Sequence, residues 1–183
     1  MKFTTRISRR IVAGTSLAAA AILLPTAALA SSAASSSAAA PAGTCAATTT
    51  RLWYGVPSDG AAGSSFWQIE LTNVGHTTCT FFGYPGVSAL DIHGHEVGKP
   101  ASHKGAKVSS TLAPGATAHF ILRVVDAGAV CNNPVHAVVL RVFGPGQFHA
   151  NLVGFGSEQC IGRSVMSVDS VNPGTGIPGF THA

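Results

Sequence analysis

The sequence is poor in charge and in recognisable chemistry. Charged residues make up 10% of its 183 residues, and only seven are Asp or Glu. Those seven are scattered, with no pair placed for glycoside chemistry. Neither a Gly-x-Ser-x-Gly elbow nor a Ser-x-x-Lys with supporting motifs occurs, so the familiar nucleophile arrangements are missing. No Cys-x-x-Cys occurs, which argues against metal or redox chemistry at cysteine. His95-Glu96-Val97-Gly98-Lys99 opens like a zinc-protease helix but lacks the second histidine. Gly144-Pro145-Gly146 lacks the Lys-Ser/Thr of a phosphate loop. Long helical periodicity is absent and nothing recurs at a fixed interval, which speaks against a solenoid or propeller. Residues 172–183 carry neither a hydrophobic tail nor a cell-wall sorting motif. These absences leave a non-enzymatic chain with no cofactor as the expectation. A hydrolase with its site dispersed over loops leaves no such signature and stays an alternative.

The N-terminus has a definite character. Lys2, Arg6, Arg9 and Arg10 form a positive n-region, and residues 11–24 form an apolar, alanine-rich core. Ala28-Leu29-Ala30 is a small-x-small cleavage site, so residues 1–30 read as a signal peptide and the mature chain starts at Ser31. Gly14, Ser16 and Pro25 interrupt the apolar run, which is short for a membrane span of about 20 residues. Ser8-Arg9-Arg10-Ile11-Val12 also fits a twin-arginine signal, so the general secretory and twin-arginine routes are both open. No cysteine stands at the cleavage site, so no lipid anchor, and no stable membrane anchor after cleavage, is expected.

Removing the leader cancels the charge. The net +4 comes from residues 1–30; beyond them Arg51, Lys99, Lys104, Lys107, Arg123, Arg141 and Arg163 balance Asp59, Glu70, Asp91, Glu96, Asp126, Glu158 and Asp169. The basic balance of the whole chain is therefore no argument for nucleic acid or membrane binding. Residues 31–44 are low-complexity Ser/Ala and read as a disordered spacer.

From Cys45 onward about 140 residues remain, the size of one domain. Short alternating runs are separated by Gly, Pro and Asn. Strands are expected over residues 49–56, 65–73, 79–84, 87–92, 107–112, 117–125, 135–143, 147–153 and 164–171, with 96–98 as the short flank of a turn after 87–92. His93-Gly94-His95 reads as a hairpin turn, and Ala113-Pro114-Gly115 as a type II turn. A short helical turn fits near residues 131–134. Eight or nine strands at roughly ten-residue spacing predict an all-β antiparallel sandwich or barrel. The domain is placed at residues 45–172, with a flexible tail at 173–183.

Cys45, Cys79, Cys131 and Cys160 form an even set in an exported chain, which reads as two disulfides. Of three possible pairings, Cys45–Cys79 with Cys131–Cys160 is favoured because each bond ties neighbouring strands.

The order of motifs is similar to a known family. Leu71-Thr72-Asn73-Val74-Gly75 is followed by Cys79-Thr80-Phe81-Phe82-Gly83-Tyr84-Pro85-Gly86-Val87, then by Leu112-Ala113-Pro114-Gly115-Ala116-Thr117-Ala118. Cys131 precedes a strand ending Leu140-Arg141-Val142, and Cys160 precedes the last strand. With Ala61-Ala62-Gly63 upstream, the chain resembles the domain of unknown function 4232 of secreted actinobacterial proteins and lipoproteins. Many relatives carry a lipobox, which this chain lacks. The resemblance implies a disulfide-stapled, immunoglobulin-like sandwich outside the membrane, and it implies no reaction.

Two groups of residues stand out as sites. His93, His95 and His103 lie within eleven residues, and imidazoles suit copper or zinc, so an extracytoplasmic metal-binding protein is one alternative. Trp53-Tyr54, Phe66-Trp67 and Phe81-Phe82 are adjacent rings that strand alternation cannot bury on one face. Trp53, Tyr54, Phe81 and Phe82 are therefore a candidate binding surface for a protein or cell-envelope component. A non-catalytic binding module is the leading expectation.

Overall fold

The computed structural model describes residues 42–56 and 59–176, and the leader lies outside them. Eight strands of four residues or more carry the fold. They are β2 (Thr50–Tyr54), β4 (Ser64–Asn73), β5 (Cys79–Phe82), β6 (Gly86–Leu90), β9 (Ser109–Leu112), β10 (Thr117–Val125), β11 (Pro134–Phe143) and β12 (Asn151–Cys160). Six short strands supplement them: β1 (Gly43–Thr44), β3 (Asp59–Ala61), β7 (Glu96–Val97), β8 (Ser102–His103), β13 (Met166–Val168) and β14 (Asn172–Pro173).

Three sheets result. The largest runs β2-β4-β10-β13-β8, with β3 added to β4 and β14 to β10; a second runs β12-β11-β6-β7; a third runs β1-β5-β9. Their apolar faces meet in one core. Ile69, Leu71, Phe120 and Leu122 from the large sheet pack with Val87, Ala89, Leu140 and Val142 from the second and with Phe81 and Leu112 from the third. Each large apolar side chain buried here contributes roughly 1.5–3 kcal/mol. The chain is thus all-β, with its sheets layered over a shared core.

Alternation decides which residues reach that core. Antiparallel pairing of β10 with β4 runs unbroken from Thr117↔Thr72 to Val125↔Ser64. Ala118, Phe120, Leu122 and Val124 consequently point inward and are buried. Both disulfides form as expected, Cys45–Cys79 and Cys131–Cys160. The first ties the chain entry to β5, and the second ties the segment before β11 to the end of β12.

Turns follow from side-chain chemistry. Asp91 Oδ1 accepts from the backbone N–H of His93 (2.8 Å) and His95 (2.9 Å), closing the β6–β7 hairpin around Gly94 at φ +80. At Ala113-Pro114-Gly115, the Ala116 N–H donates to Ala113 O (3.0 Å) with Gly115 at φ +80, as a type II turn requires. Asn73 is buried, and its amide holds three backbone groups: Gly75 N–H, Thr77 O and Leu112 O.

Several expectations need correction. The strand expected at 147–153 runs instead over Asn151–Cys160. Gln147 is spent on a turn: its Oε1 accepts from Gly144 N–H, and its Nε2 donates to Cys45 O and Thr50 Oγ1. Pairing with β11 then carries the strand through Gly154 and Gly156, with a bulge opposite Ala137/Val139. The strand expected at 164–171 shortens to β13, Met166–Val168, and β14 follows it at Asn172–Pro173. The helical turn falls earlier, at Ala127–Ala129, capped by Asp126 accepting from Gly128 N–H (3.0 Å). Gly43 and Thr44, assigned to the spacer, pair in parallel with Cys79 and Thr80. Pro173, assigned to the tail, pairs with Ala118.

Candidate binding surface

The four candidate rings do not share a surface. Phe81 is fully buried, so it is withdrawn as a surface residue: odd positions of β5 face the core, and Phe81 follows Cys79 inward. Phe82 is the exposed member of that pair, at 63%, with Lys107 Nζ 5.9 Å from its ring centre. Tyr54 packs on Trp67 (5.4 Å between ring centres), and its hydroxyl donates to Gly154 O (2.6 Å), joining β2 to β12. Burial raises the Tyr54 pKa to about 12. Trp53 faces outward, donates to Thr72 Oγ1 (2.9 Å) and lines a depression of about 420 Å³ with Arg51, Val74 and Thr117.

The histidines also separate. His93 and His95 share the β6–β7 hairpin, with ring centres 6.1 Å apart. His103 lies on β8 in another sheet and stacks on Tyr84 at 4.5 Å. Asp91, held below the usual carboxylate range first by the His95 N–H, sits 3.6 Å from His95 Nδ1. Among the described residues no three His, Cys, Asp or Glu side chains are grouped as a metal would require.

A different place gathers chemistry. Two depressions of about 280 and 290 Å³ adjoin on the large sheet and share Lys104, Arg123 and Ser167. Arg163, Ser102 and Ser164 line the first of them. The ladder explains the grouping: Ser167 of β13 lies between Arg123 of β10 and Ser102 of β8. The β12–β13 connection brings Arg163 alongside. Among the described residues the Arg123 side chain donates only to Ser64 Oγ, through Nε (3.2 Å) and Nη2 (2.9 Å), and Arg163 Nη1 donates to Val130 O (3.2 Å). No hydrogen bond or ion pair among the described residues engages the Lys104 ammonium. The two ion pairs there lie elsewhere, at Asp91–His95 and Glu96–Arg141. Asp169 is the one carboxylate lining the groove. Its Oδ1 accepts from Ile121 N–H (2.6 Å), and its Oδ2 accepts from Asn172 Nδ2 (3.3 Å).

On the same outer face, Glu70 is fully buried. Its neighbours reach residues 172–176: Gln68 Nε2 donates both to Glu70 Oε1 (2.8 Å) and to Thr175 O, and His119 Nδ1 sits 2.8 Å from Gly174 O. Glu70 Oε2 has no hydrogen-bond partner among the described residues. Burial pushes its pKa up to about 7, against a smaller lowering by Gln68.

Sequence reasoning singled out neither place. Arg123 was legible as an outward position on β10, but Lys104 and Arg163 lie near it only because β13 and β8 add to the same sheet. Glu70 lies on the face of β4 opposite Ile69 and Leu71, and nothing in strand alternation announces its burial.

Three sheets over one core, closed by two disulfides, define a stapled β-domain of the kind built for oxidising compartments. No helix among the described residues is long and apolar enough to cross a membrane. The chain belongs to the domain of unknown function family DUF4232, whose model matches residues 45–171. No curated protein matches it.

Proposed function

We propose that this protein is an exported, non-catalytic binding module with an immunoglobulin-like sandwich, acting outside the membrane on a component of the cell envelope. The observation carrying this reading is the groove of Lys104, Arg123 and Arg163, whose cations have no carboxylate partner among the described residues. Cations without a neutralising carboxylate, beside the Ser167 hydroxyl, are prepared for an external ligand. Export through the leader delivers the domain where its disulfides persist.

The test is affinity capture from cell-envelope extract by the mature protein, in parallel with Lys104→Glu and Arg123→Glu. Selective retention by the unmodified protein, lost in both variants, supports the reading. Equal retention by all three removes the groove as the site. Turnover in an activity screen overturns the non-catalytic assignment.

A further inference from the structure

The arginines of the groove offer more than charge, and this step rests on the binding role given above. We infer that the groove takes a compact ligand, or ligand end, bearing two oxyanion groups. Each group is a carboxylate or a phosphate, and Arg123 holds one while Arg163 holds the other.

A guanidinium carries its five N–H groups in one plane, with parallel pairs on two edges. The side pair is Nε with Nη2, and the end pair is Nη1 with Nη2. Either pair matches two oxygens of a carboxylate or a phosphate. In Arg123 the side pair is taken by Ser64 Oγ. The end pair has no hydrogen-bond partner among the described residues. Ser64 is buried, so its hydroxyl holds the guanidinium from a fixed position. In Arg163 the bond to Val130 O uses Nη1 and leaves the side pair. Each arginine is thus held by one neighbour and keeps one complete fork. That holding lowers the side-chain entropy lost when a ligand binds.

The two forks belong to one site. Both arginines line the same depression of about 280 Å³, a volume suited to a compact group. They reach it from different elements. Arg123 stands on β10 in register with Ser167 of β13, and Arg163 ends the turn that its own N–H closes on Cys160 O (3.4 Å). Sheet and turn fix the separation of the two backbones. A ligand whose two groups match that separation makes the second contact without a second loss of translational freedom. Lys104 and Ser167 lie with Arg123 where this depression meets its neighbour. Lys104 adds a point charge without a fork, so it attracts anions without selecting among them. Asp169 lines only the neighbouring depression, where its charge repels an oxyanion and favours the side that holds Arg163.

The experiment is calorimetric titration of the full mature chain with both disulfides formed. The probes are acetate and inorganic phosphate as single oxyanions, the dicarboxylates from succinate to suberate, and propanediol bisphosphate. Saturable binding is expected for a paired oxyanion, tighter than for its single counterpart. Among the dicarboxylates one chain length should be favoured, because the forks sit at a fixed separation. Arg123→Lys and Arg163→Lys keep the charge and lose the fork, and melting curves check their fold. Each should weaken the best ligand roughly tenfold, about the worth of one charge-assisted hydrogen bond. Arg51→Lys, on the same sheet outside the groove, should bind as the parent does. Tighter binding of the dicarboxylate or of the bisphosphate, lost in both groove variants, supports the two-fork site and tells which oxyanion it takes. Equal affinity along the dicarboxylate series together with no gain for the bisphosphate overturns the inference. Binding unchanged in either groove variant overturns it as well. If no probe binds while envelope capture still depends on Lys104, the paired-oxyanion class fails and the binding role survives. If capture is also indifferent to Lys104 and Arg123, both fail.

Discussion

Glu70 makes the stability of this domain depend on pH in an unusual direction. Its carboxyl is fully buried, one oxygen has no partner among the described residues, and its pKa rises from 4.5 to about 7. The folded state therefore holds this proton more tightly than the unfolded chain does. Linkage then makes unfolding free energy fall as pH rises from about 4.5 to about 7, and level off above. At about 1.4 kcal/mol per unit, the loss from this group comes to about 3 kcal/mol. That is a large share of a typical stability of 5–15 kcal/mol. Glu70→Gln keeps an oxygen to accept from Gln68 and removes the charge. Its new N–H donors need partners, which costs about 1–3 kcal/mol at every pH. The discriminating quantity is thus the difference between parent and variant across pH, in which contributions from groups remote from Glu70 cancel. Urea unfolding of the oxidised protein, followed by circular dichroism from pH 4.5 to 8, measures it. The variant should gain on the parent by about 3 kcal/mol between the two ends of that range. A difference that stays constant, or moves the other way, would refute the argument.

Other perturbations follow from the packing. Phe81→Ala should cost about 3–5 kcal/mol and Phe82→Ala less than about 0.5, because only Phe81 is in the core; thermal melts at one pH separate them. Losing either disulfide by a paired Cys→Ala change should cost roughly 3–4 kcal/mol, given sequence separations of 34 and 29, read from denaturant midpoints. Gly55→Ala would set a Cβ 2.3 Å from Glu70 Oε1. It should destabilise by about 1–3 kcal/mol, and by less when Glu70 is replaced with Ala, a coupling that a double-mutant cycle measures.

Much of the fold was legible because its signals are local. The β10 run needed only its own alternation, and the Ala113-Pro114-Gly115 turn only the φ preferences of proline and glycine. The cysteine pairing followed from which strands neighbour each other. Boundaries failed where a distant partner took over. Gln147 left its expected strand to bond Cys45 O and Thr50 Oγ1, and β12 continued through two glycines because β11 was there to pair with. The aromatic pairs show the limit of alternation. It stated that one ring of Phe81-Phe82 must face out, and only register with β9 and the core decided which.

By itself the sequence determined the all-β character, the two staples and the family, since each resides in near-neighbour patterns that survive without coordinates. The tertiary structure decided everything that depends on charge. Cations from β10, the β8 flank and the β12–β13 connection converge only once strand order is set, and Glu70 becomes a buried acid only when Gly55 and the Gln68 amide close against its carboxyl. Electrostatic free energy depends on distance and desolvation, and neither is a property of position along the chain.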